Sequence, residues 1–362
     1  VSDREYLLDI LPQPAGGMQG PGRKRQGKQE QYMTGIRICG TGSYLPDHVV
    51  ENEAFTRIVE TSDEWIRTRT GISRRHIAEQ DTCWSMGVKA AQRAIEAAGV
   101  RPEEIDLILF TTVTADYLSP SMSCIVQGEI GAVHASCIDI ACACAGYVYA
   151  LDMARRYLAC GDIHTVLIVS SEMLSRATDF SDRSTCVLFG DGAGACVVQA
   201  EDVLFATDLG ADGTGAHFMF GRHRRPEIPF AGQPAAENQI CGIPAQDGTF
   251  YMDGKAVYKF ATAAMPDTLR RCCDKAGIGL SDLDWVVPHQ ANIRIIQTAM
   301  KKLGLPMEKA WVNIHETANT SSASIPIALD EMIRAGRLTR GQKVGVAGFG
   351  AGLVYAGAVF SY

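Results

Sequence analysis

Cys144 is the first residue whose setting could do chemistry. It lies in Asp139-Ile-Ala-Cys-Ala-Cys-Ala-Gly146, where a short apolar stretch runs into small residues and a helical pattern begins at about Ala145. A cysteine on such a turn meets the positive end of a helix and its free N–H groups, which stabilise a thiolate and lower the thiol pKa. That is a setting for a covalent nucleophile, and Ala143, Ala145 and Gly146 leave room for a substrate. Spacing alone accommodates a core cysteine at least as well. Cys142 stays open as a second candidate, expected deeper at the strand end.

His289 follows an apolar run in Pro288-His-Gln-Ala-Asn292. Polar side chains at the end of a buried strand are well placed for catalysis, although a lone histidine is more often structural. Asn319, in Thr317-Ala-Asn-Thr-Ser-Ser-Ala-Ser324, could carry chemistry or simply cap a helix. The glycines of Gly348-Phe-Gly-Ala-Gly352 suit an oxyanion hole or a tight turn.

Such turns need elements to hold them, and the chain supplies these twice. Ala98-Gly99-Val100, Ile105-Asp106 and the apolar run 107–110 read as helix end, loop and buried strand. Ala276-Gly277-Ile278, Leu283-Asp284 and 285–287 read the same way, and both 276 − 98 and 284 − 106 equal 178. Ala150-Leu151-Asp152 and Ala328-Leu329-Asp330 repeat that offset. Two similar α/β halves follow, spanning 33–205 and 206–362. Their strands are apolar throughout, as in sheets covered by helices on both faces. The same offset pairs Cys144 with Ser322, so the two turns should face each other across a pseudo-twofold axis. Residues 211–248, rich in Gly, Pro and charge, read as a long loop.

Composition narrows the class. The 362 residues carry a net charge of −7, which argues against a nucleic-acid binder, and no run approaches the ~18 apolar residues of a membrane span. The 12 cysteines lack the paired CxxC knuckles of a zinc site. Most, such as Cys39, Cys124, Cys186 and Cys196, sit in apolar or Gly/Ala-rich runs, as small hydrophobes of a reduced, cytoplasmic protein would. Residues 1–32 lack apolar periodicity, centre on Arg23-Lys24-Arg25 and read as a disordered leader.

Read in order, Ala143-Cys-Ala-Gly, Pro288-His-Gln-Ala-Asn, Asn319-Thr-Ser and Gly348-Phe-Gly-Ala-Gly resemble the ketoacyl-[acyl carrier protein] synthase III family. Gly40-Thr-Gly-Ser-Tyr-Leu-Pro46, Thr61-Ser-Asp-Glu-Trp-Ile66, Arg69-Thr-Gly-Ile72 and Phe189-Gly-Asp-Gly-Ala-Gly194 extend the likeness across essentially all of 36–362. The resemblance implies a thiolase-like, five-layered αβαβα fold and a homodimer.

It also implies a reaction. Cys144 would attack an acyl-CoA thioester, with the backbone N–H groups of Cys144 and Ala351 holding the oxyanion. After CoA leaves, His289 and Asn319 would stabilise the enolate formed as malonyl-carrier protein loses carbon dioxide. The product is a 3-oxoacyl-carrier protein, initiating fatty-acid synthesis, with no metal or redox cofactor involved. A diverted member of a secondary-metabolite pathway and a catalytically silent partner subunit are the rival readings.

By the same resemblance, Trp65 and Arg183 would sandwich the CoA adenine, with Thr61 and Arg69 near the nucleotide and Gly254 and Asn292 near the pantetheine arm. Lys259, Arg294, Lys301 and Lys302 would receive an acidic acyl carrier protein. Ala318 and Ala351 stand where the family often has Gly. Ser119, just before Pro120, stands where a larger residue often reaches across the dimer interface to close the partner's acyl pocket. A small residue there implies an open pocket.

Overall fold

The computed structural model describes residues 35–222 and 248–362, so the leader 1–32 lies outside the described residues. Two main sheets organise the chain. The first has five strands in the order Gly35–Tyr44, Asp191–Glu201, Thr165–Met173, Leu107–Thr111, Ser136–Ile140. The second has four, in the order Trp285–Pro288, Lys343–Gly350, Val354–Ser361, Phe205–Ala211.

The repeat is visible element by element. Leu107–Thr111 and Trp285–Pro288 begin 178 residues apart, as do Thr165–Met173 and Lys343–Gly350, and the helices Gly146–Cys160 and Ser324–Arg334. The halves differ at one edge. The counterpart of Ser136–Ile140 is the short helix Ile314–Thr317, and only an isolated parallel bridge from Val286 to Ala310 marks where a fifth strand would pair.

Strand alternation builds the layers. Leu107, Leu109, Val166 and Ile168 point inward onto Tyr147, Leu151, Ile325 and Leu329 of the two central helices, which also meet Val344, Val346, Ala356 and Ala358 of the second sheet. Ile108, Phe110, Leu167 and Val169 point outward onto helices Cys83–Ala98 and Met122–Ile130. On the far side, Val286, Ala347, Phe349 and Val359 meet Gly254–Ala276 and Ile293–Leu303. The result is helix, sheet, central helix pair, sheet, helix: the expected αβαβα stack. Each buried Leu, Ile or Val contributes roughly 1.5–3 kcal/mol of transfer energy, so the central layer fixes the two turns that precede its helices.

The region read as a loop is partly structured. Gly213–Phe218 is a 3-10 helix, and Met219–Gly221 pairs antiparallel with Phe250–Met252 just beyond the loop. The rest of that loop, 223–247, lies outside the described residues.

Candidate active site

Cys144 sits in the 3-10 turn Ala143–Ala145, directly before helix Gly146–Cys160. The turn is tightly held. A Cβ on Gly348 would lie 2.8 Å from Cys144 O, and one on Gly350 would lie 2.8 Å from Cys144 N, so this strand must present glycine to pass beneath the nucleophile turn. Ala143 adopts φ 44°, a left-handed conformation uncommon for a residue with a Cβ. Cys142, expected deeper, is instead only partly buried, while Cys144 is 5% exposed. The strand stops at Ile140, so the chain has already turned outward at Cys142.

His289 follows strand Trp285–Pro288, its N–H donating to Ala347 O at 2.8 Å. Its ring is 1% exposed, edge-on to Phe349, with Nδ1 2.7 Å from Ser324 Oγ. Asn319 Oδ1 accepts the Ser321 N–H at 2.9 Å. Asn319 is not the N-cap of the 3-10 helix Ser321–Ala323, which is Thr320; its oxygen closes a turn onto Ser321 and leaves the Nδ2 amide as the group to face a ligand. Ala318 adopts φ 55° and Ser321 φ 49°, so Asn319 and Thr320 are bracketed by two residues in backbone that favours glycine.

The thiol departs from expectation. Burial pushes Cys144 up to about 12, and the Glu172 carboxylate raises it further, while bonds from Ser321 and its own N–H oppose this. The half charge of the helix end acts in the opposite direction to this burial. Burial drives His289 the other way, to about 3, so the imidazole is neutral at physiological pH.

His289 thereby predicts an acid-sensitive fold. Between the unfolded histidine value, about 6.5, and the folded value of about 3, the unfolded chain holds a proton that the native ring does not. Stability is fully present above that window and falls by up to ~1.4 kcal/mol per pH unit as pH drops through it. Denaturant titrations from pH 7.5 to 5 should show a shallower loss in His289→Gln than in wild type. Equal slopes would remove the assignment.

One cavity of about 530 Å³ gathers Cys144, His289 and Asn319 with Trp65, Arg69, Gly254, Asn292 and Arg294. Gly350 lines it, and the neighbouring Ala351 does not. Thr61, Arg183, Lys259, Lys301, Lys302 and Ser119 also lie outside the lining. Arg183 nevertheless stands over Trp65, 5.0 Å from the ring centroid, with Arg69 at 5.5 Å. A base stacked between Trp65 and Arg183 needs about 7 Å, two van der Waals contacts, so Arg183 must swing outward to admit one. Thr61 Oγ1 is buried without a partner.

Several expected ligand contacts already have structural work. Asn292 Oδ1 accepts the Arg294 N–H, capping helix Ile293–Leu303, and Nδ2 donates to Arg69 O at 3.1 Å. Lys302 Nζ donates to Thr262 O and Arg294 Nε to Thr68 O, and all four basic residues, Lys259, Arg294, Lys301 and Lys302, are exposed. The cavity also takes Lys255, Tyr258, Met219 and Met252, none of which a sequence motif marked. Among the described residues no His, Cys, Asp or Glu cluster could hold a metal ion.

The fold and this cysteine-bearing cavity define an acyl-transferring condensing enzyme of the thiolase-like class. The family described as 3-oxoacyl-[acyl-carrier-protein (ACP)] synthase III matches residues 138–213, and its C-terminal part matches 273–362. The chain is 43% identical over 333 residues to beta-ketoacyl-[acyl-carrier-protein] synthase III of Clostridium acetobutylicum, covering 91% of this chain and 99% of that one. The crystal structure of the synthase III from Aquifex aeolicus VF5 superposes with a TM-score of 0.82 at 40% identity, covering 91% of this chain and 100% of the other. The priming beta-ketosynthase of the R1128 polyketide pathway gives 0.81 at 36%, covering 96% and 98%. The chain belongs to the beta-ketoacyl-[acyl-carrier-protein] synthase III family.

Proposed function

We propose that this enzyme transfers an acyl group from acyl-CoA to Cys144 and condenses it with malonyl-[acyl carrier protein], releasing CoA, carbon dioxide and a 3-oxoacyl-carrier protein. The convergence of Cys144, His289 and Asn319 on one cavity carries the reading. Attack by sulfur forms a tetrahedral oxyanion, held by the Cys144 and Ala351 N–H groups; collapse expels CoA. The Gln290 N–H points at Ser324 Oγ, which supports Ser324 as the donor to His289 Nδ1 and leaves the ring proton on Nε2. That N–H and the Asn319 amide then stabilise the enolate as carbon dioxide departs. Covalent and hydrogen-bond catalysis accomplish both steps, so the chemistry requires no metal or redox cofactor. Mass spectrometry of the enzyme with a panel of acyl-CoAs tests this: an acyl adduct should form on Cys144 and disappear on adding malonyl-carrier protein. Absence of an adduct with every acyl-CoA would refute the proposal.

A homodimer fits the surface. Leu118 is 97% exposed and Val133 65% exposed, and strand Ser136–Ile140 is an open edge of the first sheet. A second copy pairing there would cover both and carry Ser119 toward the neighbouring cavity. The unpaired cysteines of the described residues support a reducing, cytoplasmic setting, although Cys124 is exposed rather than buried. No described helix is long and apolar enough to cross a membrane.

Ser119 sets the expected primer range. With a small residue at the end wall, each added buried methylene contributes about 0.8 kcal/mol, nearly fourfold in affinity. Butyryl- or isobutyryl-CoA should therefore be accepted, and Ser119→Phe should shift kcat/KM toward acetyl-CoA. A wild-type enzyme strictly selective for acetyl-CoA would overturn the open pocket.

A further inference from the structure

Gln290, next to His289, has a side chain that the chemistry above does not use. It is fully buried and lines no part of the cavity. Nε2 donates to Pro288 O at 2.8 Å and to Trp311 O at 3.2 Å. Oε1 accepts the Asn313 N–H at 3.1 Å and the Ile314 N–H at 3.2 Å. A primary amide has two N–H donors and two lone pairs on oxygen, and here all four are engaged. Carbonyls on one side and N–H groups on the other fix which way the amide points.

These bonds join two segments. Pro288 ends the strand that delivers His289, and Trp311, Asn313 and Ile314 belong to the stretch that delivers Asn319. Asn313, the N-cap of helix Ile314–Thr317, makes no side-chain cap bond, so the Gln290 oxygen takes two N–H groups that the helix start leaves without a partner. Backbone bonds continue from there: Asn313 O accepts from Glu316 and Thr317, and Ile314 O from Ala318, the residue before Asn319. We propose that the Gln290 side chain sets the position of Asn319 relative to His289 and is thereby a positioning residue for the condensation step. The inference rests on the proposed function, in which both side chains address the malonyl thioester oxygen.

The physical reason lies in the strand that the second half lacks. In the first half, Ser136–Ile140 pairs along its whole length with Leu107–Thr111 before the chain turns to Cys144. In the second half, the chain leading to Asn319 meets the sheet edge only at the Val286–Ala310 bridge and the Trp311 N–H on Val286 O. No ladder holds 313–314 to strand Trp285–Pro288, and the Gln290 amide supplies that link. His289 has its own anchors, its N–H on Ala347 O and its ring on Ser324 Oγ. Asn319 is tied on its other side to Leu188 O and the Gly190 N–H, which fixes it to a different segment from the one that carries His289. Two donors must converge on one oxygen, and hydrogen bonds weaken steeply as angle and distance depart from ideal. A misplacement of about 1 Å can cost on the order of 10²-fold in rate.

Filling the place of the absent strand, with no bearing on the chemistry, is the competing role. The test uses the full chain and measures the half-reactions apart: single-turnover acylation of Cys144 by acyl-CoA, and carbon dioxide release from malonyl-carrier protein. In Gln290→Met, acylation should stay within about twofold of wild type while carbon dioxide release falls on the order of 10²-fold. Added to Asn319→Ala, the same change should cost about twofold or less, because the group that Gln290 places is then absent. Gln290→Glu is the milder variant. It keeps an oxygen for the two N–H groups and turns the other against the Pro288 and Trp311 carbonyls unless it is protonated. Its ratio of carbon dioxide release to acylation, relative to wild type, should rise about threefold or more from pH 8 to pH 6 as burial favours the neutral acid. That ratio decides the matter even where Gln290→Met folds poorly. Equal losses in both half-reactions, losses that multiply with Asn319→Ala, or a wild-type ratio in Gln290→Glu at every pH would overturn the assignment. A wild type that forms no acyl adduct would overturn the function and this inference with it, whereas an active wild type with any of those results overturns the inference alone.

Discussion

Cys144→Ala is expected to abolish acyl-enzyme formation, and Cys142→Ala is expected to leave it intact. The two thiols lie two residues apart, and Cys142 is the more exposed, so a general alkylating reagent could reach it first. Position separates them. Cys144 lines the cavity with His289 and Asn319, and the Gly348–Gly350 backbone runs beneath it. Cys142 packs at the edge of the central core and lines no part of that cavity. Removing a catalytic nucleophile in enzymes of comparable logic lowers kcat on the order of 10⁶-fold. Peptide mapping after incubation with acyl-CoA measures the outcome directly. An acyl group recovered on Cys142, or an undiminished adduct in Cys144→Ala, would overturn the assignment.

Much of the scaffold was legible because duplication leaves an arithmetic trace. The 178-residue offset found at Asp106 and Asp284 also spaces the central helices Gly146–Cys160 and Ser324–Arg334. Apolar strands implied coverage on both faces, and alternate residues such as Leu107 and Ile108 do serve different layers. The missing fifth strand of the second half was not legible, since a short segment such as 314–317 carries too little pattern to separate helix from strand. The thiol environment was hidden for another reason. A helix start is visible in sequence, whereas the burial of Cys144 and the approach of Glu172 arise from residues far apart in the chain. The double duty of Asn292 likewise depends on Arg69 and Arg294 meeting at one helix end. Pocket-lining Lys255, Tyr258 and Met219 sit in stretches without a motif, brought in by the packing of Gly254–Ala276 and the Met219–Gly221 hairpin.

His289→Ala and Asn319→Ala should separate the two half-reactions. Acylation needs a nucleophile and oxyanion donors at the Cys144 turn, and neither side chain belongs to that turn. Decarboxylation needs donors aimed at the malonyl thioester oxygen, where negative charge builds as the enolate forms. His289 is suited to this because it is neutral: a charged imidazolium would deliver its proton to the enolate and quench the carbanion, whereas an imidazole N–H stabilises the charge without giving up the proton. The Asn319 amide is equally unable to transfer a proton, and its orientation is set by the Ser321 N–H. Loss of one such donor typically lowers the rate on the order of 10²–10³-fold. Each variant should therefore form acyl-Cys144 at close to the wild-type rate and then stall with malonyl-carrier protein. His289→Gln, which retains an N–H donor, should recover part of the condensation rate. Single-turnover acylation and carbon dioxide release, measured separately on the same preparations, decide it: equal losses in both steps would show that these residues serve the first step as much as the second.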